Sequence, residues 1–218
     1  MAFDISTLVS AQVHDIKNEL QALQTIQDEL AIELSNHPQA TETLKKIQSH
    51  SHILNQRLIE LLSLLKLQNQ DFKISEDEHW LMDTLTPIQR HFGAHHDLDI
   101  RLNFDDDING FYDEQLVNIA IHNIATNAVN AGAKTLTITV DDTQPPSWSI
   151  LTEDDGPGFS QEILDSSEWR PEGTDNGLGL YLIAQCIRAH CRAQQCGNIA
   201  LANIPGGGAQ HKLIFPWI

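Results

Sequence analysis

Leu116-Val117-Asn118-Ile119-Ala120-Ile121-His122-Asn123-Ile124-Ala125-Thr126-Asn127-Ala128-Val129-Asn130 has the pattern of one helix with two unlike faces. Leu116, Val117, Ala120, Ile121 and Ile124 recur at helical spacing and form the apolar side. Asn123, Asn127 and Asn130 form another side, at i, i+4 and i+7. Asn is a mediocre helix former because its amide competes for backbone hydrogen bonds. Three on one face suit a ligand that needs amide oxygens and N–H groups. A hydrated Mg²⁺ with triphosphate oxygens fits, since Mg²⁺ takes few, hard oxygen ligands from protein. A plain polar surface stripe would show the same spacing. The helix is expected from about residue 113 to residue 131.

Downstream, Thr135 to Val140 alternates as a strand, Pro145-Pro146 marks a loop, and Trp148 to Glu153 is a second strand. That strand runs into Asp154-Asp155-Gly156-Pro157-Gly158-Phe159. Closely spaced glycines let a backbone approach a ligand, and a carboxylate accepts from an exocyclic amine such as that of adenine. Asp-Gly pairs also make ordinary turns. Residues 160–176 are polar and contain Gly and Pro, as a lid would. Gly177-Leu178-Gly179-Leu180 then opens a helix expected to reach about Arg192. Glycines at a helix start suit phosphate oxygens. Two strand-like runs, Asn198 to Asn203 and His211 to Phe215, end the chain around Gly206-Gly207-Gly208.

Upstream, Ile100-Arg101-Leu102 and Gly110-Phe111-Tyr112 look like short strands, after an amphipathic stretch from His79 to Phe92. Strands joined by hairpins with helices between them predict an α/β sandwich, a mixed sheet with helices on one face. Residues 69–78 are mostly polar, so the domain boundary falls there: 1–70 and 71–218.

The first part is a heptad pattern. Val9, Val13, Ile16, Leu20, Leu23, Leu30 and Leu34 step alternately by four and three, with Gln27 filling the gap. Pro38 lies past the end, and a second seam runs Leu44, Ile47, Ser51, Leu54, Leu58, Leu61 and Leu65. Each helix would be about 45 Å long at 1.5 Å per residue. A lone antiparallel pair leaves apolar surface wet, so a dimeric four-helix bundle is expected. The class is therefore α+β. With Val13 inward, His14 and Asn18 face outward one turn apart, with Asp15 beside them. A solvated helix face would look the same.

Composition narrows the partners. The 218 residues carry 30 acidic against 13 basic side chains, a formal charge of −17. That excludes a basic footprint for nucleic acid or anionic lipid. An anionic ligand would need a metal ion, backbone N–H groups or a few placed cations. No apolar run approaches the roughly 20 residues of a membrane span, and MAFDISTLVS has no basic n-region, so a cytoplasmic protein without membrane insertion is expected. Cys186, Cys191 and Cys196 are odd in number, which argues against a disulfide framework. Five-residue spacing on a helix also scatters them around the axis. The eleven histidines, among them His91, His95 and His96, are expected to be packing or surface residues rather than metal ligands.

In this order the motifs resemble the transmitter core of a two-component sensor histidine kinase. His14-Asp15-Ile16-Lys17-Asn18 resembles that family's H box, and Asn123-Ile-Ala-Thr-Asn127-Ala128 its N box. Asp154-Asp-Gly156-Pro-Gly158 and Gly177-Leu-Gly179-Leu resemble its two glycine boxes. The last three also mark the wider ATPase superfamily of gyrase, a heat-shock chaperone and a mismatch-repair ATPase. The resemblance implies a homodimeric kinase using ATP and Mg²⁺. It would autophosphorylate on His14 and pass the phosphoryl group to an aspartate on the receiver domain of a separate response regulator. Asp15 would be the general base and Asn18 would position water in the reverse, phosphatase reaction. Asn127 would ligate Mg²⁺ with Asn123 and Asn130 nearby, and Asp154 would read the adenine amine. Gly156, Gly158, Gly177 and Gly179 would line the lid over the phosphates, with Lys17 and Arg170 as candidate phosphate contacts. The stimulus would come from a separate sensory protein or another segment. The sequence departs from the family in having Glu19 at the common Pro position and no clear phenylalanine box, where Trp169 is the substitute. The alternatives are a histidine phosphotransferase or phosphatase with little autokinase activity, and a non-catalytic dimer that binds a regulator.

Overall fold

The structure is a computed structural model. It describes residues 16, 18, 22–23, 25–27, 29–32, 34, 40–44, 47–48, 51, 54, 58, 74–142, 147–166 and 175–217. His14, Asp15, Lys17, Glu19, Trp169 and Arg170 lie outside the described residues. The chain divides into two compact units, Met1–Phe72 and Lys73–Ile218.

In the first unit nearly all described residues are helical, with a turn at Leu34. The Thr41 hydroxyl donates to the Leu34 carbonyl at 2.9 Å, satisfying an acceptor left over at the end of a helix. The two rows of each seam behave differently. Gln27, Leu44 and Ser51 are buried, whereas Ile16, Leu23, Leu30, Ile47 and Leu54 are 39–58% exposed. Seven-residue steps separate members of each row, so among the described residues one edge of each stripe is more hidden than the other.

The second unit begins with β1 (Asp77–Trp80), α1 (Leu81–His95), β2 (Asp99–Leu102) and β3 (Asn109–Tyr112). It continues through α2 (Glu114–Asn130), β4 (Thr135–Asp141), β5 (Ser147–Asp154), the short α3 (Gln161–Asp165) and α4 (Asp175–Arg188). β6 (Cys191–Arg192), β7 (Gln195–Cys196), β8 (Asn198–Asn203) and β9 (Ala209–Pro216) complete it. The main sheet has the order β2-β4-β5-β9-β8. β2 runs parallel to β4 and the other neighbours are antiparallel, so the sheet is mixed. α2 packs between α1 and α4.

Alternation explains the core. Leu136 and Ile138 of β4, Ile150 of β5, and Leu213 and Phe215 of β9 are at most 1% exposed. Val117, Ala120, Ile121 and Ile124 of α2, the predicted apolar side, are fully buried as well. Trp148 stacks on Phe215 at 4.4 Å, and Gly110 lies where a Cβ would strike the Trp148 ring. The Asp113 carboxylate caps α2 by accepting from Leu116 N at 3.1 Å, so the helix starts one residue after it.

Several expectations are corrected. His79 and Trp80 belong to β1, which pairs with β3, and the helix starts at Leu81. α4 stops at Arg188, not near Arg192. The chain then turns into the β6–β7 hairpin, whose register sets Cys191 opposite Cys196. There the two form a disulfide, contrary to the cysteine arithmetic, which presumed a continuing helix. Cys186 remains a buried thiol, pushed up to about 12 by desolvation and then by the Asp113 charge. Among the described residues no helix is long and apolar enough to cross a membrane, and no group of three or more His, Cys, Asp or Glu could hold a metal ion.

Candidate nucleotide site

Asn123 and Asn127 lie one turn apart on α2 and both point at α4. A Cβ at Gly179 would lie 3.4 and 3.5 Å from the Asn127 amide atoms and 3.6 Å from Asn123 Oδ1. The two differ in freedom. Asn123 is buried, and its Nδ2 donates to the Ile119 carbonyl at 2.9 Å, which fixes its oxygen towards Gly179. Asn127 is only half-buried. Asn130, a further turn on, is exposed. Gly177 is the third residue of α4.

The Asp-Gly loop closes the other end of this face. A Cβ at Gly156 would meet those of Ala131 and Ala133, just past the end of α2, at 3.6 Å each. Asp154 is buried at the end of β5, and its Oδ1 accepts from Gly156 N at 2.8 Å and Ala209 N at 3.2 Å. One oxygen is therefore committed to holding the loop and the start of β9 together, which orients the other. Asp155 has a different task. Its Oδ1 accepts from Lys134 N at 2.7 Å and Thr135 N at 2.9 Å, clipping β5 to the start of β4. Those backbone N–H groups, Thr135 foremost, hold its carboxyl below the usual carboxylate range.

Gly158 needs to be glycine twice over. Its φ is +81°, and a Cβ there would come within 2.7 Å of Asn203 Oδ1. The Asn203 amide grips the backbone of Phe159, accepting from its N at 2.7 Å and donating to its O at 2.9 Å. Gly208, with φ +114°, passes against the Asp154 carbonyl, where no side chain fits. Asn203, Gly208 and Ala209 thus shape the loop, and the sequence reading did not single them out as site residues. Their only sequence signal was a strand ending at Asn before a triple glycine.

Beneath Asp154, His211 of β9 is buried, its Nδ1 3.3 Å from Thr152 Oγ1 and its ring edge-on to Phe159 at 5.0 Å. Burial drives its pKa down to about 4, so it is neutral at pH 7. A protonated imidazole would add a cation here, and the neutral ring does not.

The site fits a magnesium nucleotide. Asp154 offers one oriented carboxylate oxygen and Asn127 a half-buried amide. Gly156 and Gly179 each present backbone without a side chain. Of residues 14–18, Ile16 and Asn18 are described, and both are helical and exposed.

Comparison with known proteins agrees with this geometry. Residues 112–217 match the family described as histidine kinase-, DNA gyrase B-, and HSP90-like ATPase. No curated protein matches the sequence. Among solved structures, the Acinetobacter baumannii histidine kinase AdeS is 18% identical with a TM-score of 0.62, over 91% of this chain and 96% of that one. Full-length ShkA in complex with AMPPNP is 17% identical with a TM-score of 0.61, over 94% of this chain and 45% of that one. The ATP-binding domain of PrrB from Mycobacterium tuberculosis is 23% identical with a TM-score of 0.52, over 66% of this chain and 98% of that one. At these identities the likeness is one of fold, the fold of sensor histidine kinases. Residues 112–217 are a histidine kinase-, DNA gyrase B- and HSP90-like ATPase domain.

Proposed function

We propose that the chain is a homodimeric, cytoplasmic, ATP-dependent protein histidine kinase that phosphorylates its own His14 and serves a response-regulator receiver domain. The observation that carries the ATP part is the convergence of Asn123 and Asn127 on Gly179, together with an Asp154 carboxylate fixed by Gly156 and Ala209. Asp154 Oδ2 would accept from the adenine amine, since Oδ1 is already engaged. Asn127 would hold Mg²⁺, with Asn123 setting the helix face beside it. Gly156 and Gly179 would let backbone N–H groups close on the phosphates. Mg²⁺-ATP when bound supplies the γ-phosphoryl group and the neutralisation of its charge. The chain is short of cations, so it leans on the metal for that.

The acceptor end rests on the first unit. A free imidazole titrates near about 6.5, so most of it is a neutral nucleophile at pH 7. Attack through one ring nitrogen of His14 requires the other to lose its proton, which Asp15 would take. Asn18, a helical and exposed residue of the first unit, would orient water on a phosphorylated regulator in the reverse reaction. The half-exposed row of Ile16, Leu23, Leu30, Ile47 and Leu54 supports the dimer, because a second copy would cover it.

Titration with ATP, with and without Mg²⁺, tests the site. Asn127→Ala should abolish the Mg²⁺-dependent gain in affinity and leave metal-free binding nearly unchanged. Loss of both alike would contradict the metal role. Asn18→Ala should spare autophosphorylation and slow dephosphorylation of a phosphorylated receiver domain; equal loss of both would remove the role given to it.

A further inference from the structure

The segment by which the chain enters the ATPase unit is fastened at two points. Ser75 N donates to Asp113 Oδ2 at 3.0 Å. Glu76 Oε2 pairs with Arg192 Nη2 at 2.9 Å, with side chains 18% and 23% exposed. Arg192 also lies over the Phe111 ring at 4.4 Å. It sits inside the β6–β7 hairpin, one residue from Cys191.

That hairpin is poorly equipped to hold itself. Its ladder has only two residue pairs, Cys191 with Cys196 and Arg192 with Gln195. A lone two-stranded hairpin is marginal in water. The turn places Ala193 at φ +51°, where Asn or Gly is favoured. The cross-link between Cys191 and Cys196 closes it, along with Gly197 N donating to His190 O at 2.7 Å. The ion pair it presents is incompletely satisfied, since Glu76 Oε1 and Arg192 Nε are buried without partners among the described residues. Both would gain by rehydration if the hairpin loosened.

We propose that Cys191 and Cys196 are a thiol–disulfide modification site that controls, through Arg192, how firmly residues 75–76 are held. The reactant class is a small thiol or dithiol. A thiolate attacks one cysteine sulfur, breaks the S–S bond and forms a mixed disulfide, and the other cysteine leaves as a thiolate that takes a proton. A second thiolate attacks the mixed disulfide and frees the first cysteine, so two thiols become one disulfide and the protein gains two S–H groups. Both cysteines are exposed, and an open cleft of about 670 Å³ lined by Arg192, Ala193, Gln194, Gln195 and Trp217 lies alongside. Buried Cys186 takes no part. In a reducing compartment the dithiol is the resting form, and oxidation fastens the segment. The proposal stands independently of phosphorylation at His14.

The full chain is equilibrated in oxidised or reduced glutathione, and amide hydrogen exchange and iodoacetamide labelling are followed by mass spectrometry. Reduction should speed exchange at Ser75 at least tenfold and open Cys191 and Cys196, not Cys186, to label. Arg192→Gln should give the fast rate in both buffers with the disulfide intact. Cys191→Ser/Cys196→Ser should give it in both buffers too. Labelling of Cys191 and Cys196 in the oxidised protein, or Ser75 exchange indifferent to reduction, would overturn the proposal. The reduced unaltered chain serves as the test even if a variant fails to fold.

Discussion

The two units solve the same burial problem to different degrees. In the ATPase unit the apolar side of α2 and the inner face of β4, β5 and β9 are at most 1% exposed at their central residues. In the helical unit one row of each seam is buried, at Gln27, Leu44 and Ser51, and two of those three are polar. The apolar row, Ile16, Leu23, Leu30, Ile47 and Leu54, is the one left wet. Among the described residues, leucines and isoleucines of the helical unit stay exposed, as the proposed dimer requires. A unit whose core is closed can keep its polar face for a ligand. The difference supports the proposed division of labour, assembly through the first half of the chain and nucleotide binding through the second.

The sharpest break of that contrast is within the ATPase unit. Asp154→Ala should weaken ATP binding about 100-fold, since a hydrogen bond to a charged group and the loop it organises are worth about 2–3 kcal/mol. Calorimetric titration gives the affinity, and sedimentation should show an unchanged oligomer. In the other unit, Leu23→Glu with Leu54→Glu should raise the dimer dissociation constant at least 30-fold by placing charge in a covered apolar row. ATP affinity should stay within twofold. If the pair of substitutions left the oligomer intact, the exposed row would have some other purpose.

A smaller effect is expected from pH, and the ATPase unit should carry it. His211 and His190 are neutral in the fold, both held below the ordinary value mainly by burial. His190 is further fixed as one tautomer, its Nδ1 donating to Cys186 O at 2.9 Å and its Nε2 accepting from Asp113 N at 3.0 Å. A lowered folded value means the unfolded chain takes the proton first. Stability is therefore full above about pH 6.5 and falls as pH drops towards the His211 value of about 4, by up to about 3 kcal/mol for that residue. Denaturant titrations from pH 7 to pH 4 should show the loss, and His211→Phe should flatten it. Gly158→Ala, strained by a φ of +81° and by a Cβ 2.7 Å from Asn203 Oδ1, should cost about 1–3 kcal/mol. Thermal unfolding measures it.

Periodicity made most of the ATPase fold legible, because α2, β4 and β5 obey single-face burial. The Asn123 and Asn127 face was legible for the converse reason: amides at helical spacing are a poor choice for a helix that needs none. The β1 strand escaped because its four residues, Asp77–Trp80, are polar or half-exposed and pair only with β3. The disulfide escaped because α4 ends at Arg188 without a glycine to announce it. Asn203, by its side-chain amide, and Ala209, by its N–H to the Asp154 carboxylate, bond to residues 44 and 55 positions away, a closeness that no local pattern encodes.

The proposed function requires one connection, that the ATP site of this chain load His14 of this chain. The direct measurement is incubation of the unaltered protein, His14→Gln and Asp154→Ala with γ-labelled ATP and Mg²⁺. Acid-labile, alkali-stable label on the unaltered protein alone is the predicted result. Label retained by His14→Gln, or none on the unaltered protein despite ATP binding, would contradict it.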